Sequence, residues 1–126
     1  MTESDTHTHL LAIFADVSQS AQRLLWFAET ADVDGYPELA SSFRAIAEDK
    51  AGHARGLLEF IDGLDRETPE NLAAALSLVD LSGDLERIRS AADDEGRPDV
   101  AEWVGTMSTA ADRHVARLNT DRETLR

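Results

Sequence analysis

Cysteine is absent from this 126-residue sequence, and lysine occurs once, at position 50. Without thiols the chain has no disulfide framework, no thiolate zinc site and no cysteine nucleophile. The lack of cysteine says little about the compartment, because a protein without thiols does not respond to redox conditions.

Long apolar runs are also missing, since no stretch approaches the ~20 residues of a membrane helix. The N-terminal segment Met1–His9 is polar and acidic, with neither a basic nor an apolar region, so no signal peptide is visible. We therefore expect a cytoplasmic protein, with His7 and His9 solvated in a frayed terminus.

Basic residues are few: 12 Lys and Arg stand against 25 Asp and Glu, which gives a formal net charge of −13. Such a charge repels phosphate backbones and anionic membrane surfaces, so we expect neither nucleic acid nor membrane as a partner. Glycine-rich phosphate loops and Ser-His-Asp or His-Glu-x-x-His sets are absent as well.

Only three prolines are present, and together with glycines they divide the chain at three places. The breaks are Asp34–Pro37, Asp62–Pro69 and Glu95–Pro98. Glycine after one helix and proline at the start of the next is typical of helix ends. With 42% hydrophobic residues, the sequence predicts one all-α domain over residues 1–126, with helices near 8–34, 37–62, 69–95 and 98–123.

Apolar residues recur at alternating four- and three-residue spacing in all four segments, as in a four-helix bundle. The second stripe reads Leu39, Phe43, Ile46, Lys50, His53, Leu57, Phe60, and the fourth reads Val100, Val104, Met107, Ala111, His114, Leu118. Lys50, His53 and His114 are polar residues at core positions, where each needs a partner.

The two halves of the sequence repeat one another at a shift of 61 residues. The shift places Gly35 on Gly96 and Pro37 on Pro98. It also superposes the two core histidines. The sequence therefore predicts two repeated helical hairpins, each with one histidine at the same depth.

Two stretches resemble rubrerythrins of the ferritin-like superfamily. They are Phe14–Ala21, which is similar to the start of the first bundle helix, and Ala31–His53, with its Asp-Gly-Tyr-Pro-Glu turn. The region from Trp103 to Arg117 is similar to the last helix. The resemblance implies a ferritin-like four-helix bundle, in which glutamates and two Glu-x-x-His pairs would hold two irons.

Carried over position by position, the resemblance implies that most of the di-iron ligands are missing. The family's glutamates fall on Val17, Lys50, Ser77 and Ala111, and its extra glutamate falls on Asp80. Of the family's metal ligands, only the two histidines, at His53 and His114, and one carboxylate, at Asp80, are matched. The rubredoxin module, with its paired cysteines, is absent too.

A standard di-iron site is not expected, because two ferrous ions need several carboxylates and Lys50 adds a positive charge instead. We predict a core ion pair between the Lys50 ammonium and Asp80, Asp49 or Asp16. The alternative is that the lysine extends along its stem out of the bundle.

Three functions remain open on the sequence. The first is a non-catalytic binding or assembly module with a degenerate di-metal site and no cofactor. The second is a metal-dependent oxidoreductase or metal-binding protein, with one iron, manganese or zinc held by His53, His114, Asp80 and Asp49. The third is a small-molecule site in the bundle centre beside the small residues Val17, Ser77 and Ala111.

Chain length between the predicted second and third helices limits the topology of the bundle, and Trp26 and Trp103, which would be hard to place on the surface of a monomer, favour a homodimer. Seven Cα steps from Asp62 to Pro69 span at most about 27 Å, whereas a helix of about 26 residues is roughly 39 Å long. A crossover within one chain is too short to run the length of that helix. The sequence therefore predicts either an up-down-up-down bundle or a domain-swapped dimer that resembles those of some rubrerythrins.

Overall fold

The computed structural model describes residues 2–61 and 67–125. In these two ranges the chain is helical, without a β-strand. The elements are α1 Thr2–Asp34, α2 Pro37–Ile61, α3 Thr68–Val79, α4 Ser82–Asp94, α5 Pro98–Asp121 and a 3₁₀ helix, Arg122–Leu125. None of the described helices is both long enough and apolar enough to cross a membrane.

The chain divides into two compact units, one containing α1 and α2 and the other containing α3, α4, α5 and the 3₁₀ helix. In the first unit, α1 and α2 are joined by a two-residue connection, Gly35-Tyr36, so they form an antiparallel hairpin. Gly35 has a φ of +89°, which glycine adopts without steric cost. The Tyr36 amide donates to the Ala31 carbonyl at 2.8 Å and closes the end of α1.

Alanine lines the contact between α1 and α2. Ala40 and Ala47, which are 0% and 2% exposed, form this alanine seam with Ala54 on α2. The buried residues of α1 are Val17, Ala21, Ala28 and Ala31. Because alanine has a short side chain, the two backbones can approach closely along most of their length.

Larger side chains flank this seam near the turn. Phe43 packs against the buried cluster of Ala28, Ala31 and Ala40, and its ring meets that of Phe27 edge to face at 6.0 Å. On the surface, an Arg44 nitrogen lies 2.9 Å from an Asp32 oxygen. This hydrogen bond, together with the charge of Asp32, raises the pKa of the Arg44 guanidinium.

The turn of the second unit repeats that of the first. Gly96 has a φ of +67°, and the Arg97 amide donates to the Ala92 carbonyl at 2.7 Å. At the shift of 61 residues, Gly96 corresponds to Gly35. The Arg97-to-Ala92 hydrogen bond corresponds to the bond from Tyr36 to Ala31. The buried residues here are Leu85, Ala92, Val104 and Ala111. The predicted pair of repeated hairpins is therefore confirmed.

Two helix bounds differ from the sequence prediction. The first helix begins at Thr2 rather than near residue 8, and Asp5 near this end is favourably placed for the helix dipole. The segment predicted as one helix over 69–95 is two helices, because the chain leaves the helical conformation at Asp80, with φ −85° and ψ 95°. Asp80 then accepts hydrogen bonds from the Ser82 amide at 3.2 Å and the Ser82 hydroxyl at 2.8 Å, so its side chain starts α4.

Candidate functional site

Lys50 lies on the buried side of α2, between the seam alanines Ala47 and Ala54 in sequence, and is half-buried. Within the described part of the first unit, Lys50 makes no ion pair with Asp16 or Asp49, and both carboxylates are exposed. The pair with Asp80 stays a prediction, because Asp80 belongs to the other unit.

His53 is exposed in this chain, although its stripe predicted a core position. The buried residues of α2 run through Ala40, Ala47 and Ala54, one position beyond the predicted line. His53 instead belongs to an exposed flank of α2 together with Leu39, Ile46 and Phe60, which are 50%, 45% and 71% exposed. The seam is centred on alanine because small side chains allow closer helix packing than the bulkier residues of the flank.

His114 occupies the equivalent place in the second unit. It is exposed, whereas its neighbours on the stripe, Val104 and Ala111, are 5% and 6% exposed. The exposed flank of α5 also contains Trp103 and Met107, at 66% and 37% exposure. Each hairpin thus presents one histidine on an apolar, exposed flank, and the repeat extends to the placement of these two side chains.

Asp80 has a local role that its sequence position did not suggest. Its carboxylate is exposed, and the hydrogen bond from the Ser82 hydroxyl, followed by that from the Ser82 amide, lowers its pKa below the ordinary value of 3.8. Ser77, three residues earlier on α3, is exposed as well. The two positions that the family fills with carboxylates on one helix are therefore separated here by a helix end.

Two of the positions on which the resemblance places glutamates are in the interior of their hairpins. Val17 is 8% exposed and Ala111 is 6% exposed, and neither side chain carries a lone pair. Both side chains are therefore part of the apolar interior. Lys50, at a third such position, is half-buried in the first hairpin.

Metal-ligating side chains do not gather anywhere in residues 2–61 and 67–125, where no group of three His, Asp or Glu is placed to hold an ion. His53, His114, Asp49 and Asp80 are each exposed. A mononuclear site built from them stays a prediction, as does a ligand cavity beside Val17, Ser77 and Ala111.

The apolar flanks are the feature that the sequence analysis missed. Its stripes grouped Leu39 and Ile46 with the core, although the neighbouring alanines at 40, 47 and 54 offered a second line at heptad spacing. That alanine repeat was the signal that could have identified the seam.

A comparison with known proteins agrees with the resemblance in the sequence. The family model of rubrerythrin matches residues 14–79, which is just over half of the chain. The chain belongs to the rubrerythrin family. The predicted fold class, all-α and ferritin-like, is confirmed with it.

Three curated rubrerythrins are similar to this chain. That of Porphyromonas gingivalis is 32% identical over 101 residues, which are 80% of this chain and 46% of the relative. Those of Nitratidesulfovibrio vulgaris and Clostridium acetobutylicum are each 33% identical over 51% and 52% of this chain, and 34% of the relative in both cases. The chain thus spans less than half of the length of the rubrerythrins that it matches.

The rubrerythrin match includes Val17, Lys50 and Ser77, on which the sequence resemblance places glutamates, and one of the two histidines, His53. It ends at Val79, the last residue of α3 and the residue before the helix break.

Proposed function

We propose that this rubrerythrin-family chain is a non-catalytic helical binding or assembly module with a degenerate di-metal site. The observation that carries the proposal is the residue type at the positions where the resemblance places the family's glutamates. They hold Val17, Lys50, Ser77 and Ala111, and Val17 and Ala111 are buried apolar residues. No cofactor is required for this role.

Electrostatics supports the proposal. Two ferrous ions bring four positive charges into a bundle, and the family offsets them with glutamates. Here the matched positions contribute no carboxylate except Asp80, which already accepts two hydrogen bonds from Ser82. The Lys50 ammonium would repel a neighbouring ion by several kcal/mol at about 4 Å for an effective dielectric constant near 20.

A mononuclear metal site, with fewer ligands than a di-iron centre, is the second candidate. The internal repeat of the two hairpins favours it. His53 and His114 are equivalent in the two hairpins, and both lie on apolar exposed flanks. Imidazole suits iron and zinc, and carboxylates such as Asp49 and Asp80 suit manganese, so one ion held by His53 and His114 would use the two family histidines that this chain retains.

Metal analysis separates the two candidates. The chain is purified without chelators, and its iron, manganese and zinc contents are measured by mass spectrometry beside those of the His53→Ala and His114→Ala variants. The binding-module proposal expects the same trace content in all three proteins. A content close to one ion per wild-type chain that is lost in both variants would establish the mononuclear site instead.

We also propose a cytoplasmic homodimer with exchanged hairpins as the assembled form. From Ile61 to Thr68 the chain has seven Cα steps, at most about 27 Å, while the 25 residues of α2 are about 37 Å long. A second copy can supply the partner hairpin without a crossover of that length. Burial of Ile46, Phe60, Trp103 and Met107 on the two flanks would stabilise such a dimer.

A further inference from the structure

The turn end of the first hairpin carries large apolar side chains that are mostly exposed in the described structure. We name residues 26–39 the α1–α2 tip. Trp26, Val33 and Tyr36 are 67%, 86% and 61% exposed. Trp26 and Val33 are seven residues apart, which places them on one face of α1. A shallow pocket of about 400 Å³ lies beside the turn and is lined by residues 35–39.

Acidic residues surround these side chains. The α1–α2 tip contains Glu29, Asp32, Asp34 and Glu38 and has no lysine or arginine. Arg44 neutralises Asp32 at 2.9 Å. The other three carboxylates are exposed, and none belongs to an ion pair with another described residue. The apolar patch therefore has a negatively charged rim.

The second hairpin provides an internal control for what the turn itself requires. Its turn makes the same backbone hydrogen bonds, yet the positions equivalent to Trp26, Val33 and Tyr36 hold Arg87, Asp94 and Arg97. Charged residues at these positions are thus compatible with hairpin formation. The aromatic residues of the α1–α2 tip are not explained by the folding of the turn.

Tryptophan and tyrosine are enriched where protein interfaces concentrate their binding energy. A charged rim adds long-range attraction to a partner of opposite sign and speeds association. We propose that the α1–α2 tip docks a protein partner through an apolar patch rimmed by Lys or Arg. This inference rests on the proposed binding role, and it adds the surface and the chemistry of the partner.

The probe for this proposal is a synthetic helical peptide of leucine and lysine with a strongly positive net charge and no aromatic residue. The full chain is used in its Trp103→Phe form, so that Trp26 is the only tryptophan. We expect peptide binding to shift Trp26 emission to shorter wavelength. Trp26→Ser in the otherwise wild-type chain, measured by calorimetry, should weaken binding by about tenfold or more.

Two triple variants with the same change in charge test the position of the site. Glu29→Gln, Asp34→Asn and Glu38→Gln neutralise the α1–α2 tip, whereas Asp93→Asn, Asp94→Asn and Glu95→Gln neutralise the acidic run in the second hairpin. We expect the first variant to lose about tenfold in affinity and the second to lose less than about twofold. Circular dichroism verifies that each variant is folded.

Equal losses in the two triple variants, or no loss in Trp26→Ser, would overturn the docking site. Association of the protein with itself that Trp26→Ser abolishes would also overturn it, since the occupant would then be a second copy. Neither result bears on the metal content, so failure of the docking site is distinguishable from failure of the binding-module proposal.

Discussion

At the scale of single residues, Lys50 and Asp80 show how neighbours determine the chemistry of a side chain. Lys50 is half-buried on the alanine seam, where the family has a metal ligand. Asp80 matches a family carboxylate by sequence, yet its oxygen is engaged by the amide and hydroxyl of Ser82. The sequence position of Asp80 predicts a ligand, but the local helix break makes it an acceptor of hydrogen bonds from Ser82.

Acid should destabilise the second hairpin partly through Asp80. Hydrogen bonds from Ser82 lower the pKa of this carboxyl in the folded state below 3.8, so its stabilising contribution is full at neutral pH. That contribution is lost as the pH falls through the lowered pKa. The thermal unfolding midpoint is measured at neutral pH and at a pH below the ordinary range of aspartate. Asp80→Asn should therefore lose less of this midpoint on acidification than the wild type does.

Glu86→Gln, at an exposed position of α4, is the matched control for Asp80 and should leave the acid dependence close to that of wild type. An unchanged acid dependence in Asp80→Asn would contradict the role assigned to the Ser82 hydrogen bonds.

Glycine 35 has a backbone conformation that other residues adopt at a cost. We expect Gly35→Ala to lower the free energy of unfolding by about 1–2 kcal/mol, because its φ of +89° is left-handed. Gly52→Ala, in the middle of α2 with no atom near its added Cβ, should raise it by about 0.5–1 kcal/mol. Urea unfolding of both variants measures the difference, and effects of the same sign would refute the assignment.

At the scale of helices, the sequence predicted both glycine turns and the ends of α2 and α5 to within two residues. It did not predict the break at Asp80, since neither a glycine nor a proline lies within two residues of it and the apolar spacing continues across it. The run Asp80-Leu81-Ser82 was the available signal, because an aspartate that accepts a hydrogen bond from the amide two residues later favours a turn.

The face of α2 that packs on α1 lies one residue from the stripe that the sequence analysis assigned to the core of the bundle. Phe43, Lys50 and Leu57 belong equally to the apolar line through Ile46 and to the alanine line through Ala47. Hydrophobic spacing alone cannot choose between these two lines. Because short side chains fit between two closely packed backbones, alanine lies in the contact and the larger side chains lie on the flank.

A larger side chain in the alanine seam should force the helices of the first hairpin apart. Ala47→Leu, at a residue that is 2% exposed, is expected to lower the free energy of unfolding by about 1–3 kcal/mol. Ala45→Leu, at an exposed position of the same helix, is the matched control and should change it by less than about 0.5 kcal/mol. Equal effects in urea unfolding would show that the seam is not where α1 and α2 meet.

At the scale of the whole molecule, the apolar flanks and the short connection between α2 and α3 lead to the same expectation. Inserting about ten glycine and serine residues after Asp62 roughly doubles the reach of that connection. We expect the wild-type chain to be a dimer by light scattering. The insertion variant should populate a monomer, because each chain can then bring its own hairpins together.

A dimer that persists unchanged in the insertion variant would show that hairpin exchange is not what holds the copies together. A wild-type monomer would remove the dimer proposal altogether. Ten residues of the same composition added before Met1 serve as the control for added chain length.

Iron binding tests the central claim most directly. The wild-type chain is titrated anaerobically with ferrous iron, then exposed to oxygen, and the bound iron and the absorption of an oxo-bridged iron pair are measured. With Val17, Lys50, Ser77 and Ala111 at the glutamate positions, we predict less than one tightly bound iron per chain and no such band. About two irons per chain with that band would contradict the account.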